Sequence, residues 1–192
     1  TSTYIAKKAC KLIQVEYEIL KPVADVFDAI RENSARVHTG QSNILEKCVV
    51  RRGGDVDVIF RQSKFISQGK YQTQRIEHAF METEGAIALP HGEGGLKMFV
   101  SSQGIYVDRR QIAELLNIPE EKIDISLVPA GGGFGGKEDM TVQGHVALFA
   151  WILKKPVKLV LSRKESIRMH PKRHPVYMDI SVAADENGKL TA

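Results

Sequence analysis

Cysteine is nearly absent from this chain. Of 192 residues only Cys10 and Cys48 are cysteine, far apart and without CxxC spacing, so neither a disulfide framework nor a zinc site is available to organise the fold. Long apolar runs are missing as well. None approaches the roughly 20 residues a bilayer span requires, and no basic-then-apolar signal opens the chain. Charge of one sign is also lacking: 27 basic against 23 acidic residues leave a formal net charge of +4. The basic residues are scattered, apart from Lys7-Lys8, Arg51-Arg52 and the Arg163 to Arg173 region. Neither nucleic acid nor a membrane is therefore expected as a partner, and the sparse cysteines suit a reduced, cytoplasmic setting. What is present is 43% hydrophobic content, enough for one globular domain or two small subdomains with a sizeable core.

Periodicity supplies a coarse element order. Leu12 to Glu18 alternates as a half-exposed strand, and Pro22 admits a short helical turn from Ala24 to Ile30. Ser34 to Gly54 reads as loop. Phe65 to Glu77 is β-compatible, and Gly85–Pro90 with Lys97–Ser102 predicts a hairpin turned at Glu93-Gly94-Gly95. Tyr106 to Leu116 carries Ile112, Leu115 and Leu116 at helical spacing and is ended by Asn117 and Pro119. Lys122 to Val128 alternates as a strand, Met140 to Leu153 is long and apolar enough for a buried helix, and Val157 to Leu161 is a strand after Pro156. Phe80, Phe149 and Trp151 read as core. Alternating strands and helices predict an α/β (α+β) domain, with mixed sheets and packed helices. At the end, Val176 to Ala183 is a strand and Glu186-Asn187-Gly188 a tight turn, while the returning strand has only Lys189 to Ala192. That short return, with Thr1 rather than methionine at the start, predicts a longer natural protein.

Between the strand at Lys122–Val128 and the helix at Met140–Leu153 lies Ala130-Gly131-Gly132-Gly133-Phe134-Gly135-Gly136-Lys137-Glu138-Asp139. Five glycines around one phenylalanine make a loop whose backbone amides a ligand can approach closely. Glu138 and Asp139 suit the positive end of the following helix. Gly131, Gly133 and Gly136 satisfy the dinucleotide pattern GxGxxG, but Ser162-Arg163-Lys164 stands where an acidic ribose ligand is required, so that reading would at best suit NADP. The phosphate-loop pattern GxxxxGK[ST] fails because Glu138 replaces the hydroxyl residue and would repel phosphate.

The segment Gly131 to Glu138 resembles the molybdopterin-binding loop of the large subunit of xanthine dehydrogenases and aldehyde oxidases, the molybdenum hydroxylases. Ile76 to Glu84 resembles that family's Glu-His strand, and Phe99 to Gln103 its strand ending in a cofactor-facing glutamine. Arg173-His174-Pro175 resembles its Arg-His-Pro element. Ile13 to Ala29 resembles the lead-in from a preceding small domain, so the likeness covers nearly the whole chain.

The resemblance implies hydroxylation of purines, other N-heterocycles or aldehydes with water-derived oxygen. Electrons would leave through iron–sulfur clusters and FAD on other domains or subunits, and the remainder of the large subunit would be a partner. Gly132, Gly133, Phe134, Gly135 and Gly136 would bind the cofactor, with Phe134 a buried aromatic that fixes the loop against it. Gln103 would donate its amide to an oxygen ligand of molybdenum. Glu138 and Arg173 would face the substrate, the carboxylate bonding ring nitrogens and the guanidinium stabilising developing negative charge. No side chain is expected to ligate the metal, and His78, His91, His145, His170 and His174 read as mostly structural. The family's general base lies beyond Ala192, so the isolated 192 residues are expected neither to hold the cofactor stably nor to turn over. An NADP-binding oxidoreductase domain and a non-enzymatic binding module are the alternatives.

Overall fold

Two adjacent segments build the central layer, one burying Ala86 and Ala88 and the other Leu96, Met98 and Val100. The computed structural model describes residues 2–192, and the chain divides into two units after Asp55.

In the first unit, α1 (Thr3–Cys10) is capped by Ser2, whose side chain accepts from the Ile5 N–H, and α2 (Val26–Ala29) by Asp25 in the same way. The rest is irregular. Ser34 to Gly54 is loop, as expected, and Asn43 pins it by donating to the carbonyls of Ala29 and Ala35. Leu12 to Glu18 is not a strand. Its alternation is real, but among the described residues no strand pairs with it, and Leu12, Ile13, Val15 and Tyr17 are exposed. A period of two marks sides of an extended chain and does not supply a neighbour.

The second unit runs α3 (Val56–Gln62), β1 (Phe65–Gln72), β2 (Gly85–His91), β3 (Gly95–Val100), α4 (Ile105–Leu116), β4 (Ile123–Leu127), α5 (Gln143–Leu153), β5 (Val157–Val160), α6 (Arg163–Met169) and β6 (Tyr177–Ala184). Four strands form a mixed sheet in the order β4-β3-β2-β5, in which only β3 and β4 are parallel. β1 and β6 form a separate antiparallel ribbon, paired from Phe65 with Ala184 to Gln72 with Tyr177. The class is therefore α+β. The core lies where Ala86, Ala88, Leu96, Met98 and Val100 of the sheet meet Ile112 of α4 and Val146, Ala147 and Ala150 of α5. The predicted hairpin forms, with Gly92 and Gly94 at positive φ in its turn. α4 ends at Asn117, which takes the left-handed conformation that closes a helix.

Three expectations are corrected. Ile76 to Glu84 is not a strand: only Ile76 pairs, in a single bridge with Arg173, and Ala79 sits at φ 51°. Phe80 and Glu84 are both buried there, so the stretch is shaped by side chains it must bury rather than by a ladder. Phe149 is 51% exposed, because the inward positions of α5 are 146, 147 and 150, and residue 149 falls on the other side. α5 starts at Gln143, so Glu138 and Asp139 lie outside its first turn. Among the described residues, no helix is long and apolar enough to cross a membrane.

Candidate functional site

The glycine loop leaves the carboxyl end of β4, and its shape follows from two different uses of glycine. Gly132 and Gly135 take φ of +97° and +87°, values that side chains resist. Gly133 and Gly136 are needed for space. A Cβ on Gly133 would collide with the Gln103 side chain, 2.6 Å from its Cδ, and one on Gly136 would fall 2.7 Å from Phe80 Cε1. Gly136 N–H closes the tip by donating to the Gly133 carbonyl at 2.8 Å. Between the bends Phe134 is itself left-handed, at φ +53°, a strained state for a bulky residue of the kind that collects at functional sites. It is 74% exposed. This chain's own residues therefore do not bury the ring, which lies back against Gly132 of its own loop.

Gln103 fastens the loop from the end of β3. Its Oε1 accepts from the Gly135 and Lys137 N–H groups at 3.1 and 3.2 Å, and its backbone N–H donates to the Lys137 carbonyl at 2.9 Å. Two backbone donors identify the side-chain oxygen and leave Nε2 as the group's donor. Glu138 follows immediately and is exposed. Arg173 is held through its backbone, which exchanges two hydrogen bonds with Ile76.

A cleft of about 430 Å³ brings Phe134, Gly135, Glu138 and Arg173 together, with His78 and Lys172 also in its wall. Gln103, Gly132, Gly133 and Gly136 are not in that wall; Gln103 anchors the loop from outside it. Below the cleft, His170 is buried, its Nε2 2.8 Å from Glu77 Oε1 and its Nδ1 3.2 Å from Glu84 Oε1. Lys172 Nζ stands 2.9 Å from Glu77 Oε2. These contacts carry the segment from His170 to Arg173 to the cleft. Among the described residues no group of three or more His, Cys, Asp or Glu is placed to hold a metal ion.

Burial pushes the Glu77 carboxyl up, but hydrogen bonds from Lys172 and the Ala79 N–H and the nearby positive charges outweigh it, leaving Glu77 below the ordinary value of 4.5. A depressed carboxylate contributes stability that is present above 4.5 and is lost as pH falls through the folded value. Glu77→Gln should therefore be less stable than the native protein at pH 7, and the difference should shrink steadily as pH falls below 4.5. Denaturant unfolding followed by circular dichroism across that range checks this. A gap between the two that is independent of pH would contradict it.

The two literal motif readings meet the geometry poorly. Lys137, the lysine of the phosphate-loop pattern, is 2% exposed and turned inward. The dinucleotide pattern should open a helix, yet α5 begins seven residues after Gly136, and β5 lies antiparallel beside β2 rather than parallel beside β4. Sequence reasoning misses the inward roles of Glu82 and Lys137 and the group that half-buried Glu77 makes with the buried His170 and Glu84. The Gly136-Lys137 pair is the only local signal for any of these.

Residues 37–192 match the family model described as "Molybdopterin cofactor-binding domain". The chain is 42% identical over 188 residues to a Bacillus subtilis (strain 168) protein named as a probable xanthine dehydrogenase subunit, covering 98% of this chain and 25% of that one. It is 37% identical over 188 residues to the "Nicotinate dehydrogenase large molybdopterin subunit" of Eubacterium barkeri, covering 98% and 44%. The solved aldehyde oxidoreductase of Desulfovibrio gigas superposes with a TM-score of 0.93 at 25% identity, over 98% of this chain and 21% of that one. The chain thus spans less than half the length of each relative.

Proposed function

The chain belongs to the molybdopterin cofactor-binding domain family, and on that premise we propose that it supplies the cofactor loop and one wall of the substrate cleft of a molybdenum hydroxylase. The substrates are purines, other N-heterocycles or aldehydes, hydroxylated with water-derived oxygen. Electrons pass to iron–sulfur clusters and FAD on other domains or subunits, and the remainder of the large subunit completes the site. The observation that carries this reading is the single cleft in which Phe134 and Gly135 of the loop meet Glu138 and Arg173.

The residues present fit molybdopterin. The Phe134 backbone stands at the tip between glycines, a Cβ at Gly133 or Gly136 would fill the space the loop needs, and Gln103 keeps Nε2 as a donor once its oxygen is committed. Bound there, the cofactor supplies oxygen transfer and accepts two electrons. The chain's own residues supply placement. The Gln103 amide group donates toward the cofactor and holds its orientation. The exposed Phe134 ring covers the adjoining face and excludes water. The Glu138 carboxylate accepts from a substrate N–H and aligns the ring, and the Arg173 guanidinium offsets negative charge that grows during the reaction.

Gln103→Ala in the whole enzyme tests the assignment. It removes the acceptor of two loop amides and the outward donor together, and should lower cofactor content or turnover by about 10–100-fold, the usual effect of losing such a supporting group. Native molybdopterin content and native turnover in this variant would contradict the proposed site.

A further inference from the structure

We propose that Lys137 and Glu82 form an ionic clasp that sets the shape of the glycine loop and so positions Phe134, Gly135 and Glu138. The functional consequence rests on the molybdopterin reading, whereas the geometry does not. Lys137 ends the loop, and its side chain runs back into the interior with 1% exposure. Nζ donates to Ser101 Oγ at 2.9 Å, stands 3.8 Å from Glu82 Oε1 and lies 4.8 Å above the Phe80 ring. Glu82 holds the other end. Its Oε2 accepts from the Gly131 N–H, and its N–H donates to the Gly131 carbonyl at 3.1 Å. The first and last residues of Gly131–Lys137 thus converge on one carboxylate.

An ammonium group does not enter the interior by default. A lysine needed only for solubility extends its head into water, as the neighbouring Glu138 does with its carboxylate. Burial drives the Lys137 ammonium below its ordinary value, and Glu82 and Glu84 oppose that shift while Arg163 adds to it. Methionine would fill the same space without that desolvation. What lysine adds is a charge that must stay beside Glu82. Glu82 in turn rides on a fixed segment, because Arg163 Nη2 donates to the carbonyls of Phe80 and Met81 at 2.6 and 2.8 Å. From this fixed point the clasp closes the loop's base, and Gln103 ties its far side through the Gly135 and Lys137 N–H groups. Lys137 is a positioning residue: it acts on substrate and cofactor through the loop.

The test uses Lys137→Met, Glu82→Gln and the double variant in the whole enzyme. Two readouts are taken: amide hydrogen exchange of residues 131–138 against the β3 strand, and molybdopterin per chain. Each single variant should raise loop exchange roughly 10-fold while β3 stays protected, because breaking a partly buried pair frees the local unit it closes. Each should also lose cofactor. The double variant should be no worse than the poorer single one, since the two residues act as a pair. Native loop exchange in both single variants, or effects that simply add in the double variant, would overturn the clasp. If Lys137→Met does not fold, Glu82→Gln alone decides, its side chain being 39% exposed. A native enzyme without molybdopterin would sink the functional reading, and the exchange comparison would still judge the clasp.

Discussion

Gly136→Ala will strip the whole enzyme of its cofactor while leaving the domain folded. The added Cβ would lie 2.7 Å from Phe80 Cε1 and 2.9 Å from the His78 ring. Phe80 cannot withdraw cheaply. Phe80 is fully buried, with the His170 ring 4.9 Å away on one side and the Lys137 ammonium 4.8 Å from its centroid. The loop itself must lift, at an overpacking cost of about 1–3 kcal/mol. The sheet and its helices do not depend on that loop for their core, so the thermal transition should shift by only a few degrees. The site is less tolerant: displacing the anchored amides by about 1 Å can cost on the order of 100-fold in a reaction that depends on placement. Molybdopterin per chain and the melting profile, measured on the same preparation, check the two halves of this expectation.

Glu138→Gln will separate substrate recognition from cofactor binding. Glu138 is exposed on the cleft, and its carboxylate is not engaged in holding the loop, so the amide should leave stability and molybdopterin content unchanged. A substrate that presents a ring N–H to the carboxylate loses a charge-assisted hydrogen bond aimed at the reacting ring. The value kcat/KM for an N-heterocycle should then fall about 100- to 1,000-fold. An aldehyde has no such donor, and its kcat/KM should change by only a few-fold. The ratio of the two losses therefore reports the substrate class, and equal native rates on both would remove Glu138 from the substrate's contacts.

Much of the second unit is legible in the sequence because its signals are local. The β2–β3 hairpin, α4 with its Asn117 ending, β4 and β6 each follow from a period and a turn residue within a dozen positions. The glycine loop is legible because so many glycines near one phenylalanine have no packing use. α6 escapes a reading by periodicity, although Ser162 and Glu165 form a capping box that announces its start. The short α1 and α3 bury no residue, so periodicity has little to mark. Leu12 to Glu18 shows the opposite error, a clear period without a neighbour to pair with.

The site divides along the same line. Glu138, Arg173, Phe134 and Gly135 are nameable from the sequence and share one cleft, yet the exposure of Phe134 depends on a left-handed backbone that residue types alone do not reveal. The direction of the Gln103 amide, with its oxygen turned to the loop, emerges only in three dimensions. The clasp joins Glu82 to Lys137 across a long stretch of chain, and nothing in a linear pattern distinguishes its buried lysine from a solvated one.

A crystal structure of the whole enzyme with its cofactor bound is the most direct test of the central claim. The account predicts molybdopterin against the backbone of Phe134 and Gly135, the Gln103 side-chain nitrogen facing it, and Glu138 with Arg173 around the substrate. A cofactor seated away from Gly131–Glu138, with this cleft filled by other parts of the protein, would contradict it.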